Sequence, residues 1–166
     1  IALEGMRLVQ QWLPAAVKDG SDIEARAHMM SAAVMGATAF QKGLGAVHSL
    51  SHPVGSVYDT HHGLTNAVFM PYVMNFNRPA IEDRMDLLAQ YLDLPGSGFS
   101  AVMDWVLELR QTFNIANTPT DLGVEESRLH ELSEMAANDP TAGGNPIPVG
   151  TNEMKVMYQA AMAGRL

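Results

Sequence analysis

The chain has 166 residues, 47% of them apolar, which is enough for one globular domain with a sizeable core. Ten basic against eighteen acidic residues leave a formal charge of −8, which argues against contact with a phosphate backbone and so against a nucleic-acid role. No apolar run reaches the roughly 18 residues of a membrane span, and no basic segment followed by an apolar one reads as a signal peptide. The absence of cysteine excludes disulfides, thiolate metal sites and a cysteine nucleophile, and fits a cytoplasmic protein.

Residues 2–17 repeat apolar positions at three- and four-residue spacing, with Pro14 expected to kink or end that helix. The pattern opens at Ile1 with no capping residue before it, so the chain reads as a piece of something longer. Ser21 followed by Glu24 reads as a capping box for a helix to about Phe40, and Gly43 and Gly45 break the pattern. A further helix is expected from Ala46 to about Tyr58 with Pro53 inside it, then a break at His61-His62-Gly63. Leu64 to about Phe76 is strongly apolar, and residues 79–92 form a separate amphipathic pattern. After the loop Leu94–Gly98, Ser100 is expected to cap a helix to about Phe113. Val124–Ala137 reads as an acidic helix, Asn138–Pro148 as a loop, and Thr151 as the cap of a last helix to about Gly164. No segment alternates with period two for long enough to be a strand. The expected class is all-α, an antiparallel multi-helix bundle of seven or eight helices. Its twelve methionines, among them Met29, Met30, Met35, Met70 and Met74, read as adaptable core filling.

Four of the six histidines, His48, His52, His61 and His62, fall within fifteen residues. His48 and His52 share one helix face, with Cβ atoms roughly 6 Å apart. Two imidazoles so placed can bind one divalent metal, or one can bind while its neighbour works as an acid or base. The segment lacks the glutamate of a zinc-protease H-E-x-x-H motif. A turn before His62 lets the chain reverse and bring that residue back opposite His48. On spacing alone a second reading stays open, in which some of these are core or helix-terminal histidines held by hydrogen bonds. Asp59 could add a carboxylate, whereas His28 and His130 stand alone and read as surface residues. Gly43-Leu44-Gly45 is no dinucleotide loop, having no third glycine and no preceding strand; it reads as a tight turn that permits close packing.

The run from Gly43 through His48-Ser49-Leu50-Ser51-His52-Pro53-Val54-Gly55, and then Tyr58-Asp59-Thr60-His61-His62-Gly63-Leu64-Thr65-Asn66-Ala67, resembles the iron-containing (group III) alcohol dehydrogenases. Met70-Pro71-Tyr72-Val73-Met74 and Gly143-Gly144-Asn145-Pro146 fit the same family, so the resemblance covers essentially the whole chain. It implies that residues 1–166 are the C-terminal all-helical metal-binding domain, as in dehydroquinate-synthase-like folds, of a longer two-domain enzyme. The N-terminal α/β domain that binds NAD or NADP, and an upstream helix with an Asp and a His ligand, are missing from this chain. By the same resemblance His48 and His62 are ligands to Fe²⁺ or Zn²⁺, and His52 is a catalytic proton relay near nicotinamide and substrate. His61 departs from the proline some members carry there, and Asp59 matches no family ligand.

The activity implied is hydride transfer between a small alcohol or aldehyde and NAD or NADP, with the metal as Lewis acid. The chain alone is expected to be inactive, to hold metal weakly, and to associate into a homo-oligomer through an exposed apolar face. A glycerol-dehydrogenase-like or dehydroquinate-synthase-like relative is the enzymatic alternative. A helical module that binds metal or a partner without catalysis is the other.

Overall fold

A computed structural model describes all 166 residues. It contains seven α-helices and no strand, so the chain is all-α. They are α1 (Ala2–Lys18), α2 (Ile23–Ala39), α3 (Ala46–Tyr58), α4 (His62–Tyr91), α5 (Gly98–Thr112), α6 (Leu129–Ala137) and α7 (Thr151–Met162). Short 3₁₀ segments follow α2, precede α6 and lie between α6 and α7.

Two apolar cores organise these helices, and α4 belongs to both. Leu50 and Val54 from α3, Phe69 and Val73 from α4, Leu132 and Ala136 from α6, and Met154 and Tyr158 from α7 form the larger one. Leu88, Ala89 and Leu92, from the end of α4 and the turn beyond it, meet Ala101 and Val102 of α5 in the smaller, with Leu3 of α1 against them. At 30 residues, α4 spans about 45 Å and ties the two cores together.

That length corrects one expectation. The break between Phe76 and residue 79 is absent, because α4 continues through both Pro71 and Pro79. Each proline removes a hydrogen-bond donor, but Pro71 is fully buried and the core residues Phe69, Tyr72 and Val73 around it hold the helix. Pro14 likewise lies inside α1, which runs on to Lys18. Helix starts shift as well. Asp22, not Ser21, caps α2 by accepting from the Ala25 amide at 2.9 Å, while Ser21 bonds back to Asp19. Ser97 rather than Ser100 precedes α5, and Gly150 rather than Thr151 precedes α7, where the Glu153 carboxylate accepts from the Gly150 amide at 2.9 Å. The expected helix from Val124 is helical only from Leu129, preceded by a 3₁₀ turn.

The methionines divide between core and surface. Met154 and Met157 are buried, whereas Met30 is 72% exposed. Met30 stands with Ile23 and Val34 on one outward face of α2, an apolar stripe that nothing in the chain covers. His28 is half-buried and stacks on the Trp12 ring at 4.2 Å, so of the two solitary histidines only His130 is a surface residue.

α3 is held against α7 by a buried polar contact. The Tyr158 hydroxyl donates to the Leu50 carbonyl at 2.6 Å, and its ring meets Phe69 edge-on at 5.4 Å. Burial, with a contribution from the Asp139 charge, pushes the phenol pKa well up, so the group stays a donor. Tyr158→Phe should lower stability by about 1 kcal/mol, read as a shift in urea midpoint. No change in the midpoint would mean that this hydrogen bond contributes nothing net.

Candidate metal centre

The turn between α3 and α4 brings the histidines together. Asp59 ends α3 in the left-handed conformation at φ 53°, exposed, which leaves its carboxylate a loop group. Buried Thr65 pins the reversal, its hydroxyl 3.0 Å from the His61 carbonyl and 2.8 Å from Thr60 Oγ1. His61 is the N-cap of α4, accepting from the Leu64 amide through Nδ1 at 3.3 Å. Its ring is thereby committed to the helix end.

His48 and His52, one turn apart on α3, then face His62 at the first position of α4. The ring centroids lie 5.7 Å apart for His48 and His52, 5.4 Å for His48 and His62, and 5.5 Å for His52 and His62. The nitrogens that converge are two. Asn66 Nδ2 stands 3.4 Å from His48 Nε2 and 3.0 Å from His62 Nε2, so both imidazoles turn their Nε2 edges toward one point. The other end of that amide, Oδ1, accepts from the Ser51 hydroxyl, which orients the NH₂ toward the rings. With the amide so oriented, each Nε2 accepts from Asn66 through the same lone pair that a metal ligand would offer.

Burial pushes the His48 pKa below the ordinary imidazole range, and the neighbouring His62 and His52 rings push it the same way, against the opposite pull of Asp139. His48 is therefore a neutral donor at neutral pH. Two imidazole Nε2 atoms gathered within reach of one amide suit a borderline cation such as Fe²⁺ or Zn²⁺. No three His, Asp or Glu side chains of the chain are grouped as a metal site by themselves. The residues present thus fit a metal as a pair of donors.

His52 turns its other edge elsewhere. Its Nδ1 lies 2.8 Å from Asp139 Oδ2, a carboxylate that arrives from the loop after α6. Asp139 Oδ1 accepts from the Thr141 amide at 2.8 Å and from the Thr141 hydroxyl at 2.5 Å. Thr141 Oγ1 in turn lies 2.9 Å from Ser49 Oγ, and Ser49 is fully buried on α3. Burial raises the Asp139 pKa, but the Thr141 and His52 hydrogen bonds outweigh it and hold the carboxyl below its usual range.

The loop bearing Asp139 also supports α3 directly. Gly45, at the N-cap of α3, has no side chain to offer. Asn145 Oδ1 serves instead, accepting from the Ala46 amide at 3.2 Å and from Asn77 Nδ2 at 2.9 Å. Asn145 Nδ2 donates back to Asn77 Oδ1 at 2.8 Å and to the Ile147 carbonyl at 2.8 Å. Both glycine loops must come close for this. A Cβ on Gly45 would lie 3.1 Å from Asn145 Oδ1, and one on Gly144 would overlap the Leu44 carbonyl oxygen.

The structure therefore brings together His48, His52 and His62 and sets His61 and Asp59 aside. Sequence reasoning missed Asn66, Ser51 and Asp139 as members of the site. The four-residue step from His62 to Asn66 was a readable signal for the first; Asp139 lies 87 residues from its histidine and carries none. A cavity of about 830 Å³ between α7 and the 3₁₀ segments before α6 has no histidine in its wall.

Residues 1–162 match the family model described as "Fe-containing alcohol dehydrogenase family, C-terminal". The chain is 38% identical over 152 residues to an NAD-dependent methanol dehydrogenase of Bacillus methanolicus, which covers 87% of this chain and 40% of that protein. It is 36% identical to a 4-hydroxybutyrate dehydrogenase of Cupriavidus necator, over 98% of this chain and 44% of the relative. Among solved structures, a 1,3-propanediol oxidoreductase superposes with a TM-score of 0.90 at 29% identity, covering 96% of this chain and 44% of that one. The chain thus spans less than half the length of these relatives. No helix in it is long and apolar enough to cross a membrane. With its all-α architecture and its match from end to near-end, the chain belongs to the Fe-containing alcohol dehydrogenase family, in the C-terminal part that the family model describes.

Proposed function

We propose that residues 1–166 are the metal-binding helical domain of a two-domain, NAD- or NADP-dependent alcohol dehydrogenase, with His48 and His62 as two of the metal ligands and His52 as the proton-handling residue. The observation that carries this reading is the shared aim of His48 Nε2 and His62 Nε2 at the Asn66 amide, from helices that the family motif joins. When bound, a divalent metal supplies Lewis-acid activation of an alcohol oxygen. His48 and His62 would hold their side of the centre, with Asn66, oriented by Ser51, bonded to both Nε2 atoms. His52, 38% exposed at its side chain, is open enough to pass a proton between the site and solvent. The nicotinamide cofactor is assigned to an N-terminal nucleotide-binding domain outside this chain, together with the remaining metal ligands. The relatives are named for methanol, 4-hydroxybutyrate and 1,3-propanediol, each a primary alcohol, so the substrate class is a small primary alcohol and its aldehyde.

Metal titration of the 166-residue chain tests the ligand assignment. Wild type should bind Zn²⁺ weakly, and His48→Ala and His62→Ala should each reduce that affinity by at least about tenfold. His61→Ala, which removes only a helix cap, should leave it within about twofold. Equal binding by all four proteins would defeat the assignment. The chain alone should give no alcohol-dependent reduction of NAD or NADP, and turnover by it would remove the need for a second domain.

A further inference from the structure

We infer that Asp139 is a positioning residue for His52: its carboxylate holds the imidazole in the Nδ1–H tautomer and leaves the Nε2 lone pair on the opposite edge of the ring. The inference rests on the reading of His52 as the proton-handling group and adds the element that sets its chemistry. An imidazole can accept a proton only at a nitrogen that carries a lone pair, and the partner of the other nitrogen decides which one that is.

The partner here is fixed from behind. Asp139 Oδ1 is occupied by two donors, the Thr141 amide and hydroxyl, so Oδ2 is the oxygen left for His52 Nδ1 at 2.8 Å. Thr141 is anchored through its hydroxyl to fully buried Ser49, one turn before His52 on α3. His52, Asp139, Thr141 and Ser49 thus form a closed ring across two elements, with the Asp139 side chain 13% exposed. A surface ion pair would lack this backing, since nothing would choose which oxygen faces the imidazole.

The same geometry makes an isosteric substitution informative. In Asp139→Asn the Thr141 donors retain the amide oxygen, so the NH₂ must face His52 Nδ1. Nδ1 then has to accept, and the ring is driven to the Nε2–H tautomer. In serine proteases the corresponding exchange leaves the geometry intact, produces the wrong tautomer and lowers kcat about 10⁴-fold.

The test is the tautomer itself, read from imidazole ¹⁵N shifts and two-bond ¹H–¹⁵N correlations of the 166-residue chain in EDTA at about pH 8.5, where imidazoles are neutral. Loss of signals in a His52→Gln chain assigns the resonances. Wild type should show a protonated-type Nδ1 and an unprotonated-type Nε2 for His52, and Asp139→Asn should exchange the two, with the other histidines unchanged. An Nε2–H tautomer in wild type, or an unchanged tautomer in folded Asp139→Asn, overturns the inference. The wild-type spectrum needs no substitution, so it decides alone if that variant fails to fold. This readout involves neither metal nor turnover. A negative result here, with the His48 and His62 metal dependence intact, removes the Asp139 assignment and leaves the proposed function standing.

Discussion

Gly144→Ala should lower the stability of this chain by about 3 kcal/mol in urea unfolding, whereas Gly143→Ala, one residue away, should stay within about 0.5 kcal/mol. The two glycines share a 3₁₀ turn and differ in surroundings. A Cβ on Gly144 would overlap the Leu44 carbonyl oxygen and crowd its backbone, and neither strand of the contact is a flexible side chain that could give way. A Cβ on Gly143 meets nothing within 4 Å. Only separation of the 43–46 and 142–146 loops would relieve the overlap, and that separation breaks the Asn145 contacts that organise the start of α3. Equal midpoints for the two variants would mean that these loops do not pack backbone to backbone.

Asn145→Ala should cost about 2–4 kcal/mol, because one side chain serves several buried partners. It leaves the Ala46 amide uncapped, strips the Ile147 carbonyl of a donor, and abandons the Asn77 amide, whose residue is only 6% exposed. An abandoned buried amide is more costly than a lost hydrogen bond, which makes the pair strongly coupled. The Asn77→Ala, Asn145→Ala double variant should therefore be more stable than the sum of the two single losses by at least about 1 kcal/mol. Strict additivity in urea unfolding would show that the reciprocal amide pair is not formed.

Helix identity was legible because the apolar spacing of α1, α3, α5 and α7 is local to each segment. What periodicity misread was the prolines. Pro71 and Pro79 carry a local penalty, and only the structure shows that α4 runs past both, with Pro71 buried and the helix anchored in one core before Pro79 and in the other after it. Cap residues were misplaced by one to three positions wherever two candidates stood close, as with Ser21 beside Asp22 and Ser100 after Ser97. At the site, the histidine cluster was visible because His48, His52 and His62 come from adjacent segments joined by a short turn. The half of the site contributed by Asp139, Thr141 and Asn145 was not, since their partners lie 87, 92 and 99 residues away. A Gly/Pro/Asn loop states that the chain turns there, not what it turns to touch. The family resemblance implied roles for three histidines, and the structure adds the side chains that contact them, Asn66 and Asp139.

The remote cap on α3 also bears on the order in which the molecule assembles. Asn145 is made 99 residues after Ala46, so during synthesis at roughly 5–20 residues per second the first turn of the histidine-bearing helix waits on the order of 5–20 s for its acceptor. Until the C-terminal loop arrives, the amides preceding His48 stay open to solvent and the two helices that present His48 and His62 lack their common brace. The start of α3, and with it the placement of His48 opposite His62, is thus among the last features of the nascent chain to take shape.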